Sequence, residues 1–270
     1  MLAVDSLMQN KRGIVFGVAN NRSLAWSIAQ ACHDAGAEVA LTWQGDSVKK
    51  RIESLVDGKN FYMAGNCNVS EPETINEVFS NIKNKWGNID FIVHAVAFSD
   101  KSELTGPYIN TSRENFLKTM DISVYSFTAL AAHAKQLMNK GGSMLTLTYL
   151  GAERVMPHYN VMGLAKSALQ TSVRYLAMDL GKDDIRVNAI SAGPAKTLAS
   201  SAIGDFRYIL KWNQYNSPLR RNITHDEVGK AALYMLSDLS SGVTGECHYV
   251  DAGYHVVGMK AEDAPDISVV

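Results

Sequence analysis

The stretch Gly13-Ile14-Val15-Phe16-Gly17-Val18-Ala19-Asn20-Asn21-Arg22-Ser23-Leu24-Ala25 decides how the chain folds. A short apolar run ends on a glycine, crosses small and polar residues, and opens a helical pattern that continues to about Ala35, where Gly36 stops it. The same unit recurs. Strands are expected over Ala37 to Thr42, Asn60 to Ala64, Ile89 to Ala95, Ser143 to Thr148, Ile185 to Ile190 and Glu246 to Val250. Between them the periodicity predicts helices over Asp46 to Val56, Pro72 to Trp86, Thr111 to Asn139, Tyr159 to Gly181 and Thr224 to Leu236. Runs such as Phe91-Ile92-Val93 are continuously apolar, the mark of strands covered on both faces. Seven strands joined by helical crossovers predict an α/β fold: a doubly wound, Rossmann-like parallel sheet with helices on both faces. No linker, composition shift or repeat divides the chain, so residues 1–270 are read as a single domain.

Composition narrows the function. The 26 basic and 27 acidic side chains of the 270 residues leave a net charge of −1. No strong field draws the chain to nucleic acid or an anionic membrane. The longest run free of Asp, Glu, Lys and Arg is the 13 residues from Ile122 to Ala134, short of the roughly 20 needed to span a bilayer. Cys32, Cys67 and Cys247 are odd in number and far apart, which argues against a disulfide framework and a zinc site. The first residues lack the basic and apolar regions of a signal peptide. A soluble, cytoplasmic protein without a metal is expected.

In a doubly wound sheet, ligands bind at the carboxyl ends of the strands, and the first strand–helix turn commonly holds phosphate. The turn after Gly17 lacks the three-glycine fingerprint and is weak as a motif. It does supply a tight turn and a helix start at Ser23-Leu24 whose free N–H groups suit an anion; a plain turn with Ser23 as N-cap is the alternative. The second strand should meet an adenosine ribose. There the chain has Trp43-Gln44, which can bond ribose hydroxyls and offers no positive charge to a 2′-phosphate, so NADH is favoured over NADPH. Lys49, Lys50 and Arg51 fall a turn or more into the next helix and read as a solvated face.

The most specific feature is Tyr149, Tyr159 and Lys166. Residues 159 and 166 are seven apart on an expected helix, so they point within about 20° of one another. Tyr149 follows the fifth strand, at the ligand-binding edge. A lysine there can hold ribose hydroxyls and favour ionisation of a nearby phenol, and a tyrosine can donate to an oxygen that gains negative charge. The bland alternative is a half-buried tyrosine and a snorkelling lysine.

With these residues the chain resembles the short-chain dehydrogenase/reductases, and specifically the enoyl-acyl carrier protein reductases of bacterial type II fatty acid synthesis. The likeness runs through Gly17-Val18-Ala19, His94-Ala95-Val96-Ala97-Phe98, Leu147-Thr148-Tyr149-Leu150-Gly151-Ala152-Glu153-Arg154, Tyr159-Asn160-Val161-Met162-Gly163-Leu164-Ala165-Lys166, Arg186-Val187-Asn188-Ala189-Ile190-Ser191-Ala192-Gly193-Pro194 and Val250-Asp251-Ala252-Gly253. Carbonyl-reducing relatives have tyrosine four residues before the lysine and serine thirteen before that tyrosine; here those positions are Met162 and Tyr149.

The resemblance implies that Gly17, Ser23 and Leu24 line the phosphate side of NAD, Gln44 the adenosine, and Asn68-Val69 the adenine, with asparagine where the family usually has aspartate. It also implies that Val96 covers a ribose, that Lys166 holds it, and that Ala195, Lys196, Thr197, Leu198 and Ala199 border the nicotinamide and pyrophosphate. Family members often have glycine where this chain has Ala97. Tyr149, Tyr159 and Lys166 would be catalytic, and Ser99, Tyr149, Tyr159, Met162, Ala199, Ile203 and Phe206 would face substrate. Residues 195–218 resemble the family's irregular substrate-binding loop, with an ordinary packed helix as the alternative. The implied reaction is NADH-dependent reduction of the trans-2 double bond of enoyl thioesters on acyl carrier protein, by a cytoplasmic homotetramer whose interface the apolar ending Tyr254 to Met259 could serve. A ketone reductase and a dinucleotide-sensing binding protein remain as rival readings. Between residues 195 and 221, Lys196, Arg207, Lys211, Arg220 and Arg221 face the single acid Asp205, a local basic surface suited to an acidic carrier.

Overall fold

A computed structural model of the chain describes residues 6–197 and 206–267. The strands are β1 (Arg12–Phe16), β2 (Glu38–Trp43), β3 (Phe61–Asn66), β4 (Ile89–His94), β5 (Met138–Thr148), β6 (Arg186–Ala192) and β7 (Cys247–Val250). They form one sheet in the order β3-β2-β1-β4-β5-β6-β7, every pairing parallel. The helices are α1 (Leu24–Asp34), α2 (Asp46–Val56), α3 (Pro72–Trp86), α4 (Arg113–Met120), α5 (Ser126–Lys135), α6 (Asn160–Gly181), α7 (Phe206–Asn216) and α8 (His225–Leu236).

The continuous apolar strands have the predicted cause. Ile14 and Phe16 of β1 enter a core with Val78, Phe79, Phe127 and Leu169 from α3, α5 and α6. Val15, between them, enters a second core with Ile28, Val228 and Leu236 from α1 and α8. Both faces of the sheet are therefore buried, and alternation disappears. The strand order reverses at β1, which lies between β2 and β4. At that switch point a crevice opens beyond the strand ends.

Three local expectations are corrected. The long helix over Thr111 to Asn139 is two helices separated by a π-turn, Asp121–Tyr125, and it ends at Lys135. Beyond it the chain pairs early with β4, Ile89 opposite Met138, and the register then shifts to Phe91 opposite Ser143. Sheet pairing overrides helical periodicity there. Ser23 holds the N-cap position of α1, but its side chain makes no cap bond. Its Oγ instead accepts from Ala19 N and Asn20 N at 3.0 and 3.1 Å, fastening the glycine turn. Within the irregular stretch expected over 195–218, residues 206–216 form α7, with Ile209, Asn213 and Asn216 as its buried stripe. The cysteines are free thiols. Among the described residues no helix is long and apolar enough to cross a membrane.

Candidate active site

A cleft of about 1350 Å³ runs along the carboxyl ends of the strands. It gathers Gly17, Ser23, Leu24, Gln44, Asn68, Val69, Val96, Ser99, Tyr149, Tyr159, Met162, Lys166, Ala195, Thr197 and Phe206 from nearly the whole length of the chain. Lys196 is exposed and does not line the cleft. Leu198, Ala199 and Ile203 lie outside the described residues.

One end of the cleft is built for close approach. Gly17 has φ +98°, and a Cβ there would lie 2.2 Å from the Ala95 carbonyl oxygen, so only glycine lets β1 and β4 converge at the switch point. Ser23 Oγ spends its acceptor capacity on Ala19 and Asn20, which leaves its O–H to donate. Leu24 and Ala25 open α1, whose first N–H groups have no partner within the helix. This is an anion cradle. At the end of β2, Gln44 and Trp43 line the cleft whereas Lys49, Lys50 and Arg51 do not. Lys49 lies over the Trp43 ring at 5.6 Å and within 3.8 Å of Glu53. That end of the cleft therefore offers the Gln44 amide for hydrogen bonding, with Lys49, Lys50 and Arg51 off its wall.

The other end holds the tyrosines and the lysine. Tyr159 stands at the N-cap position of α6 and Lys166 lies within that helix; each is 7% exposed. Lys166 Nζ donates to the Leu147 carbonyl at 2.8 Å, at the end of β5. Burial lowers its pKa to about 8. His94, beneath it, is kept neutral by burial and by the Lys166 charge, its pKa pushed down to about 3. The Tyr149 and Tyr159 rings meet edge to face at 5.1 Å and 75°. Burial raises both phenol pKa values above the usual tyrosine range, with a further upward push on Tyr159 from Tyr149. This corrects the expectation that Lys166 draws Tyr159 toward ionisation: burial dominates, and Tyr159 stays a neutral donor.

Sequence reasoning missed what seats these groups. A Cβ at Gly151 would lie 2.4 Å from Tyr159 Cδ1, and one at Gly163 would lie 2.9 Å from the Gly151 carbonyl oxygen. Gly151 thus leaves the space the Tyr159 ring fills, and Gly163 lets the Gly151 carbonyl approach α6. Gly151→Ala should lower turnover about 10- to 100-fold through displacement of that ring, with the melting temperature as the control for folding. Asn115, Thr119 and Ser123, four residues apart on α4 and the π-turn, are buried and polar. Asn115 Oδ1 accepts from the Asp100 backbone N–H at 2.9 Å, Thr119 Oγ1 lies 3.0 Å from Ser99 Oγ, and Ser123 Oγ accepts from Phe98 N at 3.0 Å. They fix the loop after β4. A polar stripe at helical spacing was the available signal. Ile209 of α7, Phe98 and Lys118 also line the cleft. Met162, at the place of the tyrosine in carbonyl-reducing relatives, has its sulfur 4.0 Å from Ser123 Oγ and supplies no acid.

Comparison with known proteins agrees with this site. Residues 17–255 match the profile of the family described as Enoyl-(Acyl carrier protein) reductase. A Rhizobium meliloti protein named enoyl-[acyl-carrier-protein] reductase [NADH] 1 is 68% identical over 100% of this chain and 99% of its own length. A second from the same organism, named enoyl-[acyl-carrier-protein] reductase [NADH] 2, is 53% identical over 97% of each chain. The crystal structure of the Anaplasma phagocytophilum enoyl-acyl carrier protein reductase in complex with NAD superposes with a TM-score of 0.91 at 57% identity, over 97% of this chain and 98% of that one. With the parallel sheet, the glycine-turn cradle and the paired tyrosines beside a buried lysine all in place, the chain belongs to the enoyl-acyl carrier protein reductase family.

Proposed function

We propose that the protein reduces the trans-2 double bond of enoyl thioesters carried on acyl carrier protein, using NADH, and that Tyr149, Tyr159 and Lys166 are its catalytic residues. The observation that carries this reading is a buried Tyr159, its phenol pKa raised by burial, lining the same cleft as the buried Lys166 at the carboxyl edge of the sheet, with Met162 where a carbonyl-reducing tyrosine would stand. When bound, the dihydronicotinamide supplies the hydride that reduces the β-carbon. Reduction there leaves negative charge on the thioester oxygen, and Tyr159 is the donor that stabilises it. Lys166, an ammonium at neutral pH, holds ribose hydroxyls. Tyr149 packs on the Tyr159 ring and orients the thioester. The α-carbon takes its proton from solvent. The fit to a dinucleotide rests on the Gly17 turn, which a Cβ would fill, and on Gln44 lining the cleft while Lys49, Lys50 and Arg51 do not. Assaying crotonyl thioester against acetoacetyl thioester, each with NADH and NADPH, tests this reading. Turnover of crotonyl thioester with NADH is expected, and turnover of acetoacetyl thioester alone would refute it.

The carrier is read as docking beside α7. Two of the five basic residues are already paired, Arg220 with Asp263 at 2.7 Å and Arg221 with Glu227 at 2.9 Å, which leaves Lys196, Arg207 and Lys211. Reversing the charge of Arg207 and Lys211 together should raise KM for carrier-bound substrate about tenfold and leave KM for a pantetheine thioester unchanged; equal values for the carrier-bound substrate would remove the patch. Exposed Val256 and Met259 support burial of the C-terminal segment between copies, as a homotetramer requires. A cytoplasmic location fits the three free thiols.

A further inference from the structure

Asn68 lies just beyond β3 and lines the cleft, and both ends of its amide have a partner of one kind only. Its Nδ2 donates to Glu71 Oε1 at 2.7 Å, and its Oδ1 accepts from the Ser70 backbone N–H at 3.3 Å. A carboxylate can only accept and a backbone N–H can only donate. Turning the amide over would set oxygen against oxygen and N–H against N–H. The orientation is thus dictated chemically. Glu71 holds the N-cap position of α3, yet its side chain makes no cap bond to that helix; its carboxylate turns back onto Asn68. The backbone beneath is pinned as well, with Asn68 N donating to Thr74 Oγ1 at 3.0 Å and Glu71 N donating to the Asn68 carbonyl at 2.9 Å.

We propose that Glu71 is a positioning residue for base recognition: by engaging the Asn68 amide N–H it keeps Asn68 Oδ1 as an acceptor in the adenosine end of the cleft, and so selects a base with an exocyclic amino group over one with a carbonyl at the same position. The proposal rests on the reading that places adenine against Asn68 and Val69. An aspartate at 68 would bring a second carboxylate within about hydrogen-bond distance of Glu71, and the two would repel. Residues 68 and 71 therefore act as a pair, in which the charge sits one step behind the recognising oxygen.

The test compares dissociation constants, without acyl substrate, for NADH and for reduced nicotinamide hypoxanthine dinucleotide, in which a carbonyl replaces the adenine 6-amino group. Dihydronicotinamide fluorescence reads both. Wild type should favour NADH. Glu71→Ala leaves only the 3.3 Å Ser70 contact to hold the amide, and the preference should fall about threefold to tenfold. Asn68→Asp should weaken NADH binding, and adding Glu71→Gln, whose amide can donate to the new carboxylate, should restore it. An unchanged preference in Glu71→Ala, with Asn68→Ala still abolishing it, would overturn the role of Glu71 while leaving the adenine placement intact. Equal binding of the two dinucleotides by wild type, with neither constant altered in Asn68→Ala, would overturn the adenine placement and the proposal together.

Discussion

Tyr159→Phe is expected to lower kcat for crotonyl thioester about 100-fold, the usual cost of removing one donor aimed at a developing oxyanion. The substitution removes a single oxygen from a buried ring, so the edge-to-face contact with Tyr149 and the packing against Gly151 are kept. NADH affinity should therefore change little, and the loss should fall in kcat. Because burial holds Tyr159 as a neutral phenol, its donor capacity does not titrate across the neutral range. The phenylalanine variant should accordingly be slower by the same factor at pH 6 and at pH 8. A Tyr159→Phe enzyme with wild-type kcat would show that the ring only lines the cleft.

Lys166→Met should act on binding and turnover together. A buried ammonium that holds ribose hydroxyls contributes charge-assisted bonds of about 1.5–3 kcal/mol each, so kcat/KM for NADH should fall about 100-fold. The pH dependence separates charge from shape. With its pKa lowered to about 8 by burial, Lys166 loses its proton in the free protein above that pH. Wild-type kcat/KM for NADH should decline beyond pH 8, and that limb should be missing in Lys166→Met. Stability moves the other way. In the folded chain Lys166 releases its proton near 8, and in the unfolded chain only near the ordinary 10.5. Between these values the unfolded state binds more protons, so stability rises with pH. Denaturant melts from pH 7 to 10.5 should show wild type gaining up to about 3 kcal/mol relative to Lys166→Met. A constant difference across that window would mean that the lysine is not carried as a buried charge.

The sequence was most legible where one physical cause acts alone. The continuous apolar runs could arise only from strands buried on two faces, and the structure places Ile14 and Val15 in opposite cores. Tyr159 and Lys166 were recognisable because helical spacing brings positions seven apart to one side, and both line the cleft. Legibility failed where tertiary contacts outvote local pattern. The helical periodicity that continues past Lys135 gives way to pairing between β4 and β5. Ser23 has the residue type of an N-cap, yet its hydroxyl is drawn to the N–H groups of the turn before it. Gly151 and Gly163 carry no local signal of what they accommodate, since the Tyr159 ring that Gly151 clears and the Gly151 carbonyl that Gly163 clears are fixed only when the segment after β5 packs on α6. Charge was the least legible property. Lys166 and Tyr159 looked like partners in ionisation, but the burial that brings them together lowers the pKa of one and raises that of the other.

Whether the double bond rather than a carbonyl is reduced can be read from the product. With NADH deuterated at both C4 positions and crotonyl thioester in ordinary water, the product should be butyryl thioester with a single deuterium at C3 and none at C2. Deuterium at C2, or on the carbon of an alcohol formed from the thioester, would contradict hydride delivery to the β-carbon and the role given to Tyr159.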